Sequence, residues 1–154
     1  MKNWVVAGAA LLSLSCSVAM GADEIGPTKV MFSDDLAVEK SLTGVPGDPE
    51  KGRKWYAGRK LGNCLACHVT ADLKEQPFHG EVGPEMAGVA SRYEEPQLRA
   101  IVANSKKVFG EQTIMPGFYT FEVGIRPSKK FKGKTILNAQ QVEDIVAYLK
   151  TMKE

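Results

Sequence analysis

A cluster of two cysteines and a histidine constrains this chain more than any other feature of its sequence. Cys64, Cys67 and His68 form the pattern C-x-x-C-H, with Leu65 and Ala66 between the cysteines. On one short helical turn, the two thiols can each add to one vinyl group of a haem, and the imidazole that follows becomes the proximal ligand of the iron. The motif therefore predicts one covalent haem c, attached through Cys64 and Cys67 and ligated by His68.

Two other kinds of site use a C-x-x-C pair: a thioredoxin-like redox site and a structural zinc site. The thioredoxin-like fold alternates strands and helices around the motif, and the sequence shows no such alternation. A structural zinc site needs a second pair of ligands, yet Cys64 and Cys67 are the only cysteines after residue 22. Haem attachment is therefore the favoured interpretation.

The first 22 residues have the order of a secretory signal peptide. Lys2 is the only charged residue before Asp23, and an apolar run over residues 4–14 is followed by small residues. That run is about half of the roughly 20 residues that a membrane-spanning helix needs. We expect cleavage close to Ala22, which removes Cys16, and export to the periplasm. An uncleaved N-terminal anchor is the alternative.

Composition and charge exclude several classes of protein. Of the 154 residues, 44% are hydrophobic and 25% are charged, and the net charge is +2. A disordered tail, a collagen-like fibre and a disulfide-rich miniprotein are excluded. No nucleic-acid partner is expected, because the charges are nearly balanced. Five basic residues between Arg126 and Lys134 form a solvated face, or alternatively a patch that steers an acidic partner.

An iron bound by one histidine needs a second side chain to close its other face. We favour Met115, which lies 47 residues beyond His68 and is followed by Pro116 and Gly117. Pro116 favours an extended backbone at Met115, and Gly117 relieves crowding, so the thioether can project from an ordered loop. Met86 lies only 18 residues beyond His68, and we expect it to line the haem pocket.

His79 is the main alternative to Met115, followed by a lysine or an open iron site. A histidine beside Gly80 in a polar loop is more typical of a solvated side chain, or of one near a haem propionate, than of a ligand. Met31 and Met152 are expected to pack as ordinary apolar side chains.

The turn Gly83-Pro84 offers a supporting group for the proximal ligand. A metal-bound histidine needs a partner for its other ring N–H, which fixes the tautomer. The carbonyl of Pro84 can accept that hydrogen bond from His68, so Pro84 is included among the expected haem-site residues. An ordinary turn is the alternative.

Three helices are predicted. Asp48 caps the first, which has Pro49 in its first turn and ends near Gly58, while the second begins at Pro96 and the third follows Asn138. Apolar residues at helical spacing mark the buried faces of the last two: Leu98, Ile101, Val102, Val142, Ile145, Val146 and Leu149. The rest has the composition of loops, so we expect a small all-α fold around one haem.

The order of helix, C-x-x-C-H motif, Gly-Pro turn, methionine and terminal helix resembles the class I cytochromes c. A longer match is similar to the SoxX family, the monohaem cytochrome subunits of the SoxAX complexes of bacterial thiosulfate oxidation. The resemblance covers nearly all of the chain after residue 22. It rests on the segments 41–44 (SLTG), 46–49 (PGDP), 62–68 (GNCLACH), 83–84 (GP), 92–93 (RY), 113–116 (TIMP) and 140–149 (QQVEDIVAYL).

This resemblance implies a periplasmic heterodimer with a SoxA subunit. In that family the complex couples thiosulfate oxidatively to a cysteine of the SoxYZ carrier, an L-cysteine S-thiosulfotransferase activity that releases two electrons. The sulfur chemistry takes place at a thiolate-ligated haem of SoxA, and SoxX passes the electrons to a soluble cytochrome c. By position, Cys64 and Cys67 hold the haem, and His68 and Met115 ligate the iron. The sequence offers no nucleophile or acid–base pair, so no catalytic residue is expected in this chain.

We expect a signal peptide at 1–22, an N-terminal extension at 23–47 and a cytochrome c domain at 48–154. A free-standing electron carrier of another respiratory chain is the alternative function, and it needs the same ligands. Residues 25–47 weigh weakly against it, because a subunit can wrap such a stretch around a partner. A haem-based sensor or peroxidase requires an open iron site and is excluded if Met115 binds.

Overall fold

The computed structural model describes residues 23–154, so the expected signal peptide and Cys16 lie outside the described residues. Four α-helices follow one another along this part: α1 is Pro49–Ala57, α2 is Val89–Arg92, α3 is Glu95–Phe109 and α4 is Ala139–Leu149. Single 3-10 turns lie at Pro27–Lys29, Cys64–Ala66, Ala71–Leu73 and Lys129–Phe131. Within residues 23–154 there is no β-strand, and no helix has the length and apolar character to cross a membrane. The predicted all-α fold is confirmed.

The helices begin where the capping residues predict. The carboxylate of Asp48 accepts hydrogen bonds from two amides in the first turn of α1. At α4, Asn138 and Gln141 each accept a hydrogen bond from the other's amide, which forms a capping box. Helix α3 begins at Glu95, one residue before the expected Pro96.

Helices α1 and α4 cross at close range and frame the domain. A Cβ atom on Gly52 would overlap the carbonyl oxygen of Asp144 in α4, so only glycine permits this approach. Next to the crossing point, the rings of Tyr56 and Tyr148 meet edge to face with their centroids 5.5 Å apart. The first and last helices are thereby held together around one core.

The extension at 23–47 packs against the domain of its own chain. Val38 and Leu42 belong to the hydrophobic core, and the amide of Leu42 donates a hydrogen bond of 2.7 Å to the carboxylate of Glu143 in α4. This part of the extension therefore completes the core of its own chain, while Met31 of the extension is 84% exposed. That the extension also contacts a partner stays a prediction.

A buried ion pair lies beneath the extension. Arg99 of α3 and Glu143 of α4 are 3% and 4% exposed, with Nε and Oε1 2.8 Å apart. The other nitrogens of Arg99 donate to the carbonyl of Val38 at 2.9 Å and to the carboxylate of Glu95 at 2.7 Å. Burial opposes the charge of Arg99, but hydrogen bonds and attraction from Glu143 outweigh it and raise the pKa of the guanidinium. Arg99 therefore stays protonated and ties the extension to both helices.

Helix α3 is broken at Asn104, although the spacing of its apolar residues predicts a continuous helix. Asn104 has φ −154° and ψ 88°, which is extended backbone. The carbonyls of Val102 and Ala103, just before the break, accept hydrogen bonds from the amides of Phe118 and Tyr119 at 3.3 and 2.9 Å. The segment that follows Met115 in the sequence is thus attached to the middle of α3.

Candidate haem-attachment site

The C-x-x-C-H motif forms a tight turn that is anchored in the core. A 3-10 turn spans Cys64–Ala66, and the amide of His68 donates to the carbonyl of Cys64 at 3.0 Å. Asn63, just before the turn, has a φ of 50°, a left-handed conformation that asparagine tolerates better than most residues. Leu65 is buried in the core. The turn therefore has one fixed orientation, with the histidine directly after it.

A second segment, residues 80–84, runs alongside the motif. The amide of Gly80 donates to the carbonyl of Leu65 at 2.8 Å, and the amide of Gly83 donates to that of Cys67 at 2.7 Å. A Cβ atom on Gly80 would overlap the carbonyl of Ala66, and one on Gly83 would overlap the ring of His68. Two glycines are needed here because the backbone lies directly against the motif.

The imidazole of His68 is oriented by the same segment. Its Nδ1 lies 2.7 Å from the carbonyl oxygen of Pro84. A carbonyl only accepts hydrogen bonds, so Nδ1 carries a proton, and in the neutral ring Nε2 keeps its lone pair. This is the tautomer that a haem-ligating histidine requires.

The environment of Cys64 does not favour thiol–disulfide exchange. Cys64 and Cys67 are both free, although they are three residues apart. The surrounding protein shields the sulfur of Cys64 and raises the pKa of its thiol to about 12. A reactive redox cysteine requires a lowered pKa, so the thioredoxin-like alternative finds no support in this environment.

Met115 lies on a different segment from the motif but packs against the same hydrophobic core as Cys64. Its carbonyl accepts a hydrogen bond of 2.6 Å from the hydroxyl of Ser105 in α3. Met86 is 8% exposed and belongs to the core. Met152 packs against that core. The expectation of packing is wrong for Met31, which is 84% exposed.

Both ring nitrogens of His79 are engaged by the backbone. Nδ1 accepts a hydrogen bond from the amide of Thr70 at 3.1 Å, and Nε2 lies 3.0 Å from the carbonyl of Leu73. A histidine that ligates iron needs one free nitrogen, so this arrangement does not favour His79 as a ligand. Its side chain holds the turn after the motif, a role that the sequence did not predict.

The basic face lies close to the attachment motif. The segment between Arg126 and Lys134 is largely exposed, and Nζ of Lys130 donates to the carbonyl of Lys60 at 3.1 Å. Lys60 precedes Cys64 by four residues. This contact places Lys130 of the basic face beside the residues that precede the motif.

The residues present fit a covalent haem. Two free thiols lie on one turn, and the imidazole after them has one engaged nitrogen and a free lone pair. Among residues 23–154, no group of three or more His, Cys, Asp and Glu side chains is placed to hold a metal ion directly. The zinc alternative therefore lacks a ligand set in the described part of the chain.

Comparisons with known proteins agree with this site. The sequence profile of the cytochrome c family matches residues 49–153. No curated protein sequence gives a significant match. The chain is similar to a chain in the crystal structure of SoxXA from P. pantotrophus, with 45% identity and a TM-score of 0.78 over 86% of this chain and 100% of that chain. This chain therefore belongs to the cytochrome c family and, within it, to the SoxX cytochromes.

Proposed function

We propose that this chain is the electron-transfer subunit of a periplasmic SoxAX complex. The observation that carries the proposal is its 45% identity to a SoxXA chain over the whole length of that chain. The complex couples thiosulfate oxidatively to a cysteine of the SoxYZ carrier, as an L-cysteine S-thiosulfotransferase. The sulfur chemistry belongs to SoxA, and this chain accepts the electrons and passes them to a soluble cytochrome c.

Four side chains and one carbonyl hold the cofactor in this proposal. Cys64 and Cys67 form the two thioether bonds, His68 and Met115 ligate the iron, and the Pro84 carbonyl orients His68. When bound, the haem supplies a one-electron redox centre. The protein contributes a neutral, soft thioether at Met115, which favours the ferrous state relative to a second histidine.

The remaining parts of the chain have supporting roles. Residues 1–22 direct export to the periplasm, residues 23–47 complete the core, and residues 48–154 form the cytochrome c domain. Val38 and Leu42 of the extension are buried in the core of this chain, and we propose that SoxA also contacts a surface outside the extension. Phe78 and Val82 are 62% and 64% exposed. Phe78 precedes the segment 80–84 beside His68, and Val82 lies within it. Exposed apolar side chains next to a site are typical of a protein interface.

Replacing Met115 by histidine is expected to lower the reduction potential and to erase the sulfur-to-iron charge-transfer band of the oxidised protein. The shift should be on the order of 0.1–0.2 V, within the roughly 0.8 V over which axial ligands set haem potentials. A spectroscopic redox titration measures both effects. Met86→Leu is the control, because Met86 lies in the core. If Met86→Leu removes the band and Met115→Leu keeps it, Met86 is the ligand.

Mixed with its cognate SoxA at micromolar concentration, the chain is expected to elute from gel filtration as a heterodimer. A specific interface buries roughly 1,200–2,000 Å², which is enough to survive dilution on a column. The double substitution Phe78→Ser with Val82→Ser should weaken the complex about tenfold. Met31→Ser is the control, because Met31 is also apolar and is even more exposed, at 84%, but lies in the extension.

Elution as a monomer beside SoxA would identify a free-standing electron carrier instead. Alone, the chain should exchange electrons with a small oxidant and show no thiosulfate-coupling activity. Coupling activity without SoxA would contradict the division of labour proposed here.

A further inference from the structure

The segment that carries Met115 docks against α3 at the break in the helix. The geometry points to Ser105 as a positioning residue that holds the Met115 thioether in place for iron, a role that rests on the proposed ligation by Met115. The hydroxyl of Ser105 lies 2.6 Å from the carbonyl oxygen of Met115 and 3.3 Å from that of Pro116. Its single hydrogen bonds the nearer oxygen, so the backbone of Met115 is fixed from α3.

Ser105 occupies a position where the helix pattern calls for an apolar residue. Its position in the sequence continues the helical spacing of Leu98, Ile101 and Val102, and it has no exposed surface. A buried hydroxyl is unfavourable unless it is hydrogen-bonded. Within residues 23–154, the only acceptors for this hydroxyl are the carbonyls of Met115 and Pro116. A polar residue within an apolar stripe is the signal by which the sequence could have revealed it.

Residues 102–106 of α3, around the break, hold the chain on both sides of Met115. After Met115, the amides of Phe118 and Tyr119 donate to carbonyls exposed at the break. Before Met115, Nζ of Lys106 donates to the carbonyl of Thr113 at 2.6 Å. Backbone hydrogen bonds and side-chain donors of α3 therefore fix the segment 113–119 while the methionine side chain remains available.

The break in α3 is energetically unfavourable, and the docking of the segment that carries Met115 explains why it occurs. It interrupts the hydrogen-bond ladder of the helix, and Oδ1 of Asn104 is buried there without a hydrogen-bond partner among residues 23–154. A Cβ atom on Gly117 would lie only 2.9 Å from that Oδ1, so the segment that carries Met115 lies directly against the break. Buried polar atoms without partners are rare in native proteins and require an explanation. Here the broken turn frees the backbone groups that dock the segment.

Fixing the backbone of Met115 matters because a neutral thioether is an easily displaced ligand. A tethered ligand competes with external ligands in proportion to its effective concentration at the iron, and that concentration falls when the tether is loosened. Loss of the Ser105 hydrogen bond should therefore leave the fold intact and make the methionine easier to displace.

Imidazole titration of the oxidised holoprotein tests this role, with the charge-transfer band reporting the methionine–iron bond. Ser105→Ala is expected to raise the affinity for imidazole about tenfold, which equals about 1.4 kcal/mol. Ser105→Thr keeps the hydroxyl and should stay within twofold of the unsubstituted protein. Ser41→Ala is the matched control, since that hydroxyl accepts from the amide of Gly44 at 3.0 Å, in the extension. It should also stay within twofold.

Hydrogen exchange of the same samples gives a readout that does not depend on the iron. In Ser105→Ala the amides of Phe118 and Tyr119 should exchange about tenfold faster, while the amide of Leu42 keeps its rate. If Ser105→Thr does not fold, this local pattern decides the question. Exchange that rises equally at all three amides overturns the inference, because it indicates general destabilisation.

The remaining outcomes separate this inference from the proposed function. An imidazole affinity for Ser105→Ala within twofold of the unsubstituted protein overturns the positioning role. If Ser105→Ala leaves the imidazole affinity unchanged while Met115→Leu loses the charge-transfer band, Met115 is the ligand and only the positioning role of Ser105 is wrong. If Met115→Leu keeps the band, the proposed ligation is wrong and the positioning role falls with it.

Discussion

Replacing Cys64 and Cys67 together by serine is expected to abolish all covalently bound haem. Serine hydroxyls are much poorer nucleophiles than cysteine sulfurs and do not form the two thioether bonds. Haem staining after denaturing electrophoresis measures the effect, because only covalent haem migrates with the polypeptide. The stain should fall from full intensity to background.

The third cysteine provides a matched control for this experiment. Cys16→Ser should leave the stain unchanged, since Cys16 lies in the expected signal peptide. Extraction of the unsubstituted protein with acidified acetone gives the converse test. Haem that is extracted under those conditions would contradict covalent attachment at Cys64 and Cys67.

Replacing Glu143 by alanine is expected to lower the free energy of unfolding by about 3–5 kcal/mol, the range for breaking a buried ion pair from one side. The variant leaves the charge of Arg99 buried without its main counterion. It also removes the acceptor of the Leu42 amide, which attaches the extension. Urea unfolding followed by far-UV circular dichroism measures the change.

An exposed ion pair serves as the control for Glu143→Ala. Glu75 lies 2.8 Å from Arg53, and both side chains are well exposed, so Glu75→Ala should cost at most about 1 kcal/mol. The double variant Arg99→Met with Glu143→Leu should be more stable than Glu143→Ala, since it leaves no charge unpaired. Equal losses in Glu143→Ala and Glu75→Ala would contradict the importance of burial.

Features set by neighbouring residues were predictable from the sequence. The start of α1 at Asp48 and that of α4 at Asn138 follow from side chains that bond amides two or three residues away. The spacing of C-x-x-C-H likewise led to haem c, which the family assignment supports. The individual roles of His68, Met115 and Pro84 stay predictions, although the Pro84 carbonyl lies within hydrogen-bond distance of His68.

Features that depend on distant partners were not predictable. Asn104 looks helical in its local sequence, and only the docking of a segment from beyond Met115 explains the break. The extension looked free because its anchors, Arg99 and Glu143, lie far along the chain. His79 was expected to be solvated or to lie near a haem propionate, yet backbone groups engage both of its nitrogens. In each case tertiary contacts outweigh the local pattern.

The hydrogen bond between Leu42 and Glu143 also affects the order of folding steps, because it joins residues that are 101 positions apart in the sequence. Closing so long a loop carries an entropic cost, and contacts of this kind slow folding. Because the N-terminus of the chain emerges first, the extension cannot be buried until α4 has also emerged. During that interval the C-x-x-C-H stretch belongs to an open polypeptide whose sulfurs are accessible. Cofactor attachment can therefore come first, and closure of the core last.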